Sequence, residues 1–144
     1  MPDPVHIACP ACGTKNRLPR EKLAEQPKCG RCGDKLFQGH PAELTDANFT
    51  GLVGGTDVPV IVDCWAEWCG PCRQFAPVFE EAAQSLEPGF RLLKLDTEAN
   101  PAITARLGIR SIPTLIVFKG GKEAARISGA MPLGPFLEWA RQHA

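Results

Sequence analysis

The stretch Trp68-Cys69-Gly70-Pro71-Cys72 constrains this chain more than any other. It follows an apolar, β-branched run, Pro59-Val60-Ile61-Val62-Asp63-Cys64-Trp65, which reads as a buried strand with Ala66-Glu67-Trp68 as the turn leaving it. Beyond the motif, Phe75, Val78, Phe79, Ala82, Ala83 and Leu86 recur at helical spacing. The two cysteines therefore sit where a strand hands over to a helix, with Cys69 at the helix N-terminus. Unpaired backbone N–H groups and the positive end of the helix dipole stabilise an anion there, so Cys69 favours its thiolate. A thiolate with a second thiol three residues on is the minimum equipment for thiol–disulfide exchange. The competing reading of such a pair is half of a zinc site, so the other cysteines decide.

Of the seven cysteines, four lie in the first 32 residues, two form the central motif, and Cys64 stands alone. Met1 to His6 has neither a basic region nor an apolar core, so no export signal is expected and a cytoplasmic location is the default. In a reducing compartment, clustered cysteines are metal ligands or redox catalysts rather than structural disulfides. Cys9-Pro10-Ala11-Cys12 and Cys29-Gly30-Arg31-Cys32 are two knuckles with sixteen residues (13–28) between them, the spacing of a four-cysteine zinc site. Tetrahedral coordination by four sulfurs leaves no open position, so one structural Zn²⁺ is expected at Cys9, Cys12, Cys29 and Cys32. Gly13 and Gly33 follow the second cysteine of each knuckle, where the chain must turn tightly with its N–H groups toward sulfur. With that set complete, His6 reads as an exposed bystander, and the central pair is left for redox chemistry. Ile7, Leu18, Leu23, Leu36 and Phe37 make only a miniature core, so metal is expected to hold residues 1–40 together.

The segment's seven basic residues face four acidic ones, and four thiolates with Zn²⁺ offset most of the excess. No aromatic residues interleave the cations, which argues against nucleic-acid binding. The formal net charge of the whole chain is zero, and no apolar stretch approaches the ~20 residues of a transmembrane helix. Gly39-His40-Pro41 marks a boundary, dividing a zinc-binding segment (1–40) from an α/β domain (41–144). In that domain, Thr45 to Phe49 caps a short helix that Gly54-Gly55 ends; strands are predicted over Val58–Trp65, Phe90–Asp96, Pro113–Phe118 and Glu123–Ser128. Pro77 lies inside the motif helix and is expected to kink it. Asn100 is a candidate cap for a helix starting at Pro101 and ending near Gly108, Lys119-Gly120-Gly121-Lys122 is a hairpin turn, and Pro132 to His143 forms a closing amphipathic helix. Strand–helix alternation followed by a hairpin implies a mixed sheet covered on both faces. Asp63, a carboxylate inside an apolar strand, is expected to have its pKa raised by desolvation.

Val60 to Cys72, then Gly108-Ile109-Arg110-Ser111-Ile112-Pro113-Thr114, then Gly120 and Gly129, resemble the thioredoxin family in order and spacing from about residue 43 onward. With the N-terminal knuckles, the whole chain resembles the bacterial thioredoxin-2 type. The resemblance implies the thioredoxin fold, a five-stranded mixed sheet flanked by four helices, with a zinc-ribbon-like extension. It implies a protein-disulfide reductase in which Cys69 attacks and Cys72 resolves, Asp63 exchanges a proton with Cys72, and Lys94 modulates Asp63. It further implies a cis Ile112–Pro113 bond and a shallow substrate groove of Trp68, Gly70, Pro71, Ile112, Pro113, Gly129 and Ala130, with Trp65 packing beside it. Cys64 departs from the family pattern, where an aromatic is common, and reads as a buried, inert thiol. The implied partners are disulfide-containing proteins and thioredoxin reductase; no organic cofactor and a monomer are expected. Two other readings stay open on the residues: a zinc-dependent redox-sensing or partner-binding module, and a disulfide isomerase.

Overall fold

The computed structural model describes residues 4–144. Its central sheet has five strands in the order β3-β5-β4-β6-β7, formed by Ala42–Leu44 (β3), Val60–Trp65 (β4), Arg91–Asp96 (β5), Thr114–Lys119 (β6) and Lys122–Ser128 (β7). β3, β5 and β4 run parallel, while β6 and β7 are antiparallel to their neighbours. Gly120 and Gly121, with φ of +61° and +79°, form the tight turn between β6 and β7. Positive φ at both central residues matches the twist of a two-residue hairpin.

Successive side chains of a strand face opposite sides, and here the alternation separates two cores. Val60, Val62 and Cys64 pack with Leu93, Leu95, Ile116 and Phe118 against α1 (Phe49–Gly54) and α3 (Pro101–Leu107). Ile61 packs with Leu92, Leu115 and Val117 against α2 (Gly70–Leu86) and α4 (Leu133–Arg141). Phe75, Phe79 and Phe136 join these last two helices, with ring centroids 5.3 to 5.9 Å apart. By the same alternation Asp63 faces the α2 side, as does Lys94, its partner in register on β5. α2 runs from Gly70 to Leu86 through Pro77.

The N-terminal segment is a two-stranded antiparallel ribbon, β1 (Pro4–Ala8) and β2 (Lys15–Pro19), followed by a 3₁₀ helix over Arg20–Glu25. Neither strand was expected from the residues, and β3, three residues long, was expected only through the family's strand count. The ribbon is strapped to the domain rather than hung from it. His6 N–H donates to Asp57 Oδ2 (2.7 Å), Asp57 N–H to the His6 carbonyl (2.8 Å), and Ala8 N–H to Thr56 Oγ1 (3.3 Å). The ribbon's small core of Val5, Ile7, Cys9, Leu23, Cys29 and Leu36 takes in Val58, and Ala8 joins the α1–α3 core. Val58, expected in the strand, thus lies before it: the strand begins at Val60, and Val58 plugs the ribbon. Asn100 does sit at the start of α3, but its side chain accepts from Asp46 N–H and donates to the Asp96 carbonyl. Asp46, from the loop between β3 and α1, caps the helix instead, accepting from Ile103 N–H (2.8 Å) and Ala102 N–H (3.4 Å).

These straps place the ribbon at the N-terminal ends of β4 and β5. The Cys69–Cys72 motif follows the C-terminal end of β4. Six residues of strand, roughly 20 Å, lie between the two poles.

Candidate active site and zinc centre

Cys69 is the residue preceding the first turn of α2, with extended backbone (φ −87°, ψ 111°), and its Sγ accepts the Cys72 N–H at 3.2 Å. Pro71 occupies the first helical turn, where a missing N–H leaves no bond unmade. The two sulfurs are joined as a disulfide across a Cα–Cα distance of 5.2 Å, so the structure shows the oxidised state. Cys72 is 2% exposed and Cys69 only 4%, so what distinguishes them is less accessibility than the helix-start position and N–H donor that Cys69 alone enjoys.

The Ile112–Pro113 bond is cis, and the Ile112 carbonyl oxygen lies 3.8 Å from Cys69 Sγ. Gly129 N–H donates to the Pro113 carbonyl at 2.8 Å, which holds the Gly129–Ala130 bend against the same loop. Trp68 is the one large hydrophobic side chain strongly exposed among the described residues, at 68%. Its indole N–H donates to Glu98 Oε1 at 2.6 Å, beyond the end of β5. Glu98 carried no signal in the sequence, because the contact spans thirty residues and depends on how β5 exits the sheet.

Asp63 is 1% exposed, and neither carboxylate oxygen has a hydrogen-bond partner among the described residues. Burial pushes its pKa up to about 7, with Lys94 pulling in the other direction. Lys94 makes no ion pair with Asp63 among the described residues; its ammonium lies 5.0 Å from the centroid of the Trp65 ring. A cation over an aromatic face keeps part of its stabilisation there, so Lys94 acts on Asp63 at a distance. Cys64 points to the opposite core, is fully buried, and has its thiol pushed up to about 12 by burial and by the Asp63 charge. A thiol held neutral in that way is inert.

At the other pole, the four sulfurs of Cys9, Cys12, Cys29 and Cys32 lie within 4.8 Å of one another, with Cys9–Cys32 at 3.7 Å and Cys12–Cys29 at 3.6 Å. Four sulfurs at ~2.3 Å from a tetrahedral centre are separated by about 3.8 Å, so the donor set fits one structural Zn²⁺. Both knuckles repeat one turn: Cys9 N–H donates to Thr14 O and Gly13 N–H to Cys9 O, then Cys29 N–H to Asp34 O and Gly33 N–H to Cys29 O. The glycine N–H groups therefore meet carbonyls and not sulfur, and φ of +81° and +82° is what makes the turn possible. An N–H that does reach sulfur is that of Arg31, 3.4 Å from Cys29 Sγ. His6 lies outside the cluster and pairs with Asp57 at 3.1 Å.

Removing zinc with a chelator under reducing conditions is expected to collapse the amide dispersion of residues 4–38 while signals from β4 to β7 persist. Ala8, Val58 and Arg91 should move with the first group, since they pack on the ribbon. Dispersion that survived chelation throughout the ribbon would show that its small core suffices without metal.

Comparison with known proteins agrees with this geometry. A family model described as Thioredoxin matches residues 40–142, and one described as Thioredoxin 2, N-terminal, matches residues 8–34. Thioredoxin C-3 of Corynebacterium nephridii is 46% identical over 136 residues, covering 94% of this chain and 93% of that protein. Thioredoxin M-type, chloroplastic, of Chlamydomonas reinhardtii is 35% identical over 129 residues, or 88% and 92% of the two chains. Thioredoxin of Alicyclobacillus acidocaldarius subsp. acidocaldarius is 51% identical over 89 residues, or 62% and 84%. Family model, near full-length relative and the Cys69–Cys72 pair at a helix start converge: this chain belongs to the thioredoxin family of thiol–disulfide oxidoreductases and carries a ribbon built for one structural zinc.

Proposed function

We propose that the chain works as a general protein-disulfide reductase in which Cys69 is the nucleophile and Cys72 the resolving thiol. The observation that carries the assignment is the Cys69 sulfur, at the start of α2, accepting the Cys72 N–H. In the reduced protein the same donor and the helix dipole favour the Cys69 thiolate. That thiolate attacks one sulfur of a substrate disulfide, forming a mixed disulfide and expelling the other substrate sulfur as a thiolate. Cys72 then gives its proton to the Asp63 carboxylate and attacks Cys69 Sγ. The Cys69–Cys72 disulfide forms, the second substrate thiolate leaves, and two electrons have passed to the substrate. A carboxyl with a pKa near 7 takes and returns a proton at neutral pH with little driving force lost. Lys94, held over Trp65, tempers that pKa from the neighbouring strand.

The substrate would lie as an extended segment against Ile112, whose backbone is outside the sheet ladder, in a form of strand addition. Trp68, Gly70, Pro71, Pro113, Gly129 and Ala130 line that shallow groove. Thioredoxins reduce disulfide substrates and are recharged by thioredoxin reductase. For this chain we assign the same donor, disulfide-bearing proteins of the cytoplasm as substrates, and a monomeric working form. Among the described residues, no helix is long and apolar enough to cross a membrane. With thioredoxin reductase and NADPH, the protein is expected to reduce insulin catalytically, NADPH consumption continuing over many equivalents. A single stoichiometric burst would instead mark a redox-sensing module.

A further inference from the structure

We propose that Arg91, the first residue of β5, is a positioning residue for the zinc site: it anchors the first knuckle and supplies positive charge behind the four thiolates. The inference rests on the zinc-binding reading of the ribbon, and on contacts that this reading does not itself require.

Arg91 is 1% exposed, the largest of the fully buried side chains, in a chain whose other arginines lie at the surface or partly so. Burying a guanidinium is costly unless its charge and its N–H groups are used. Most of what Arg91 meets belongs to the ribbon. One terminal nitrogen donates to the Ala8 carbonyl at 3.3 Å, the residue before the metal ligand Cys9. The guanidinium carbon lies 4.2 Å from the centroid of the Phe37 ring, just beyond the second knuckle. A planar cation that donates at its edge while stacking on a ring is something arginine does and lysine does not.

On the domain side, Glu87 at the end of α2 lies 3.9 Å from the other terminal nitrogen. That carboxylate is a weak counter-ion. Its Oε2 is occupied by the Leu92 N–H at 3.1 Å, its Oε1 has no partner among the described residues, and burial pushes its pKa upward. The guanidinium thus lies between this carboxylate and the ribbon, with its hydrogen bond on the ribbon side. Four thiolates around Zn²⁺ carry a formal −2, and such a charge at a part-buried site is stabilised by a fixed cation bonded to the backbone next to one of the ligands. The Ala8 bond adds orientation, since it fixes the strand that delivers Cys9. Groups of this kind behind metal ligands typically contribute 10–100-fold to affinity.

The test uses the full-length chain, with zinc affinity measured by competition against a chromogenic chelator. Arg91→Met, similar in volume and uncharged, is expected to bind zinc about 10–100-fold more weakly. A merely structural role is separated by melting the zinc-loaded and the zinc-stripped protein. If Arg91 acts on the site, the stabilisation that zinc confers must shrink, so the two melting temperatures draw together in the variant. Unchanged affinity, or an equal fall of both melting temperatures, overturns the proposal. Should Arg91→Met fail to fold, Phe37→Leu removes the ring under the guanidinium at a half-buried position and leaves the charge in place. A several-fold loss of zinc affinity is expected there, and wild-type affinity would count against the assignment.

Discussion

Cys72→Ser, mixed in its reduced form with a disulfide-bearing protein, is expected to accumulate a covalent one-to-one adduct through Cys69. Its reductase turnover is expected to fall by roughly three orders of magnitude or more, the scale seen when a group in the covalent path is removed. The first step needs only the Cys69 thiolate, and nothing in its stabilisation is a property of the Cys72 sulfur. The donor at 3.2 Å is the backbone N–H of residue 72, which serine keeps, and the helix dipole is untouched. Serine cannot resolve the adduct, because an alkoxide is not formed at neutral pH and does not displace sulfur. The reciprocal variant, Cys69→Ser, is expected to give no adduct. Its surviving thiol sits inside α2, 2% exposed, with no helix-start N–H aimed at it. Non-reducing electrophoresis followed by mass spectrometry of the linked peptide reads both results. Adducts through Cys72 would reverse the assignment of nucleophile and resolver.

What the sequence revealed and what it hid divide along contact range. Cys69, Cys72 and the four zinc ligands are legible because each group is local: three-residue spacings and a strand-to-helix handover encode the geometry before any tertiary contact forms. Asp63 is legible as an anomaly, a carboxylate in an apolar run, and it has no hydrogen-bond partner among the described residues. Arg91 is the counter-example. In Phe90-Arg91-Leu92-Leu93 it reads as an ordinary charge at a strand edge, and only the docking of the ribbon buries it. Val58 misleads for the same reason, since its β-branched side chain suits a strand but fills a hole in a neighbouring unit. The ribbon strands β1 and β2 escape periodicity because the alternation Val5-His6-Ile7 in one is too short to stand out and the other is mostly charged or polar. Capping failed at Asn100 because a better acceptor, Asp46, reaches the same helix from more than fifty residues away. In each case the local signal was sound, and a long-range partner took precedence.

Asp63→Asn is expected to stabilise the fold while slowing turnover. In the unfolded chain an aspartate titrates near ~3.9; in the folded protein burial moves it up to about 7. Between those values the folded state holds a proton that the unfolded state has lost, so stability falls as pH rises from 4 toward 7 and is flat above. A displacement of about three pKa units corresponds to about 4 kcal/mol lost above pH 7. Asparagine carries no charge to desolvate and escapes that loss. Relative to wild type, the gain from Asp63→Asn should therefore be about 2 kcal/mol at pH 5.5 and about 4 kcal/mol at pH 8.5, conditions under which the zinc thiolates need not be stripped. Urea unfolding of the oxidised, zinc-loaded protein at both pH values measures the difference. A gain that does not change with pH would mean that Asp63 is not the buried, titrating carboxyl that the proposed proton exchange needs. Turnover should move the opposite way, because removing the acceptor leaves Cys72 to lose its proton to solvent from a site that is almost wholly closed. The defect should be largest at and above pH 7, where the wild-type carboxylate is ionised and free to accept, and shrink as pH falls below 7 and Asp63 itself takes up a proton. The paired result, a more stable and slower protein, separates that role from a structural one.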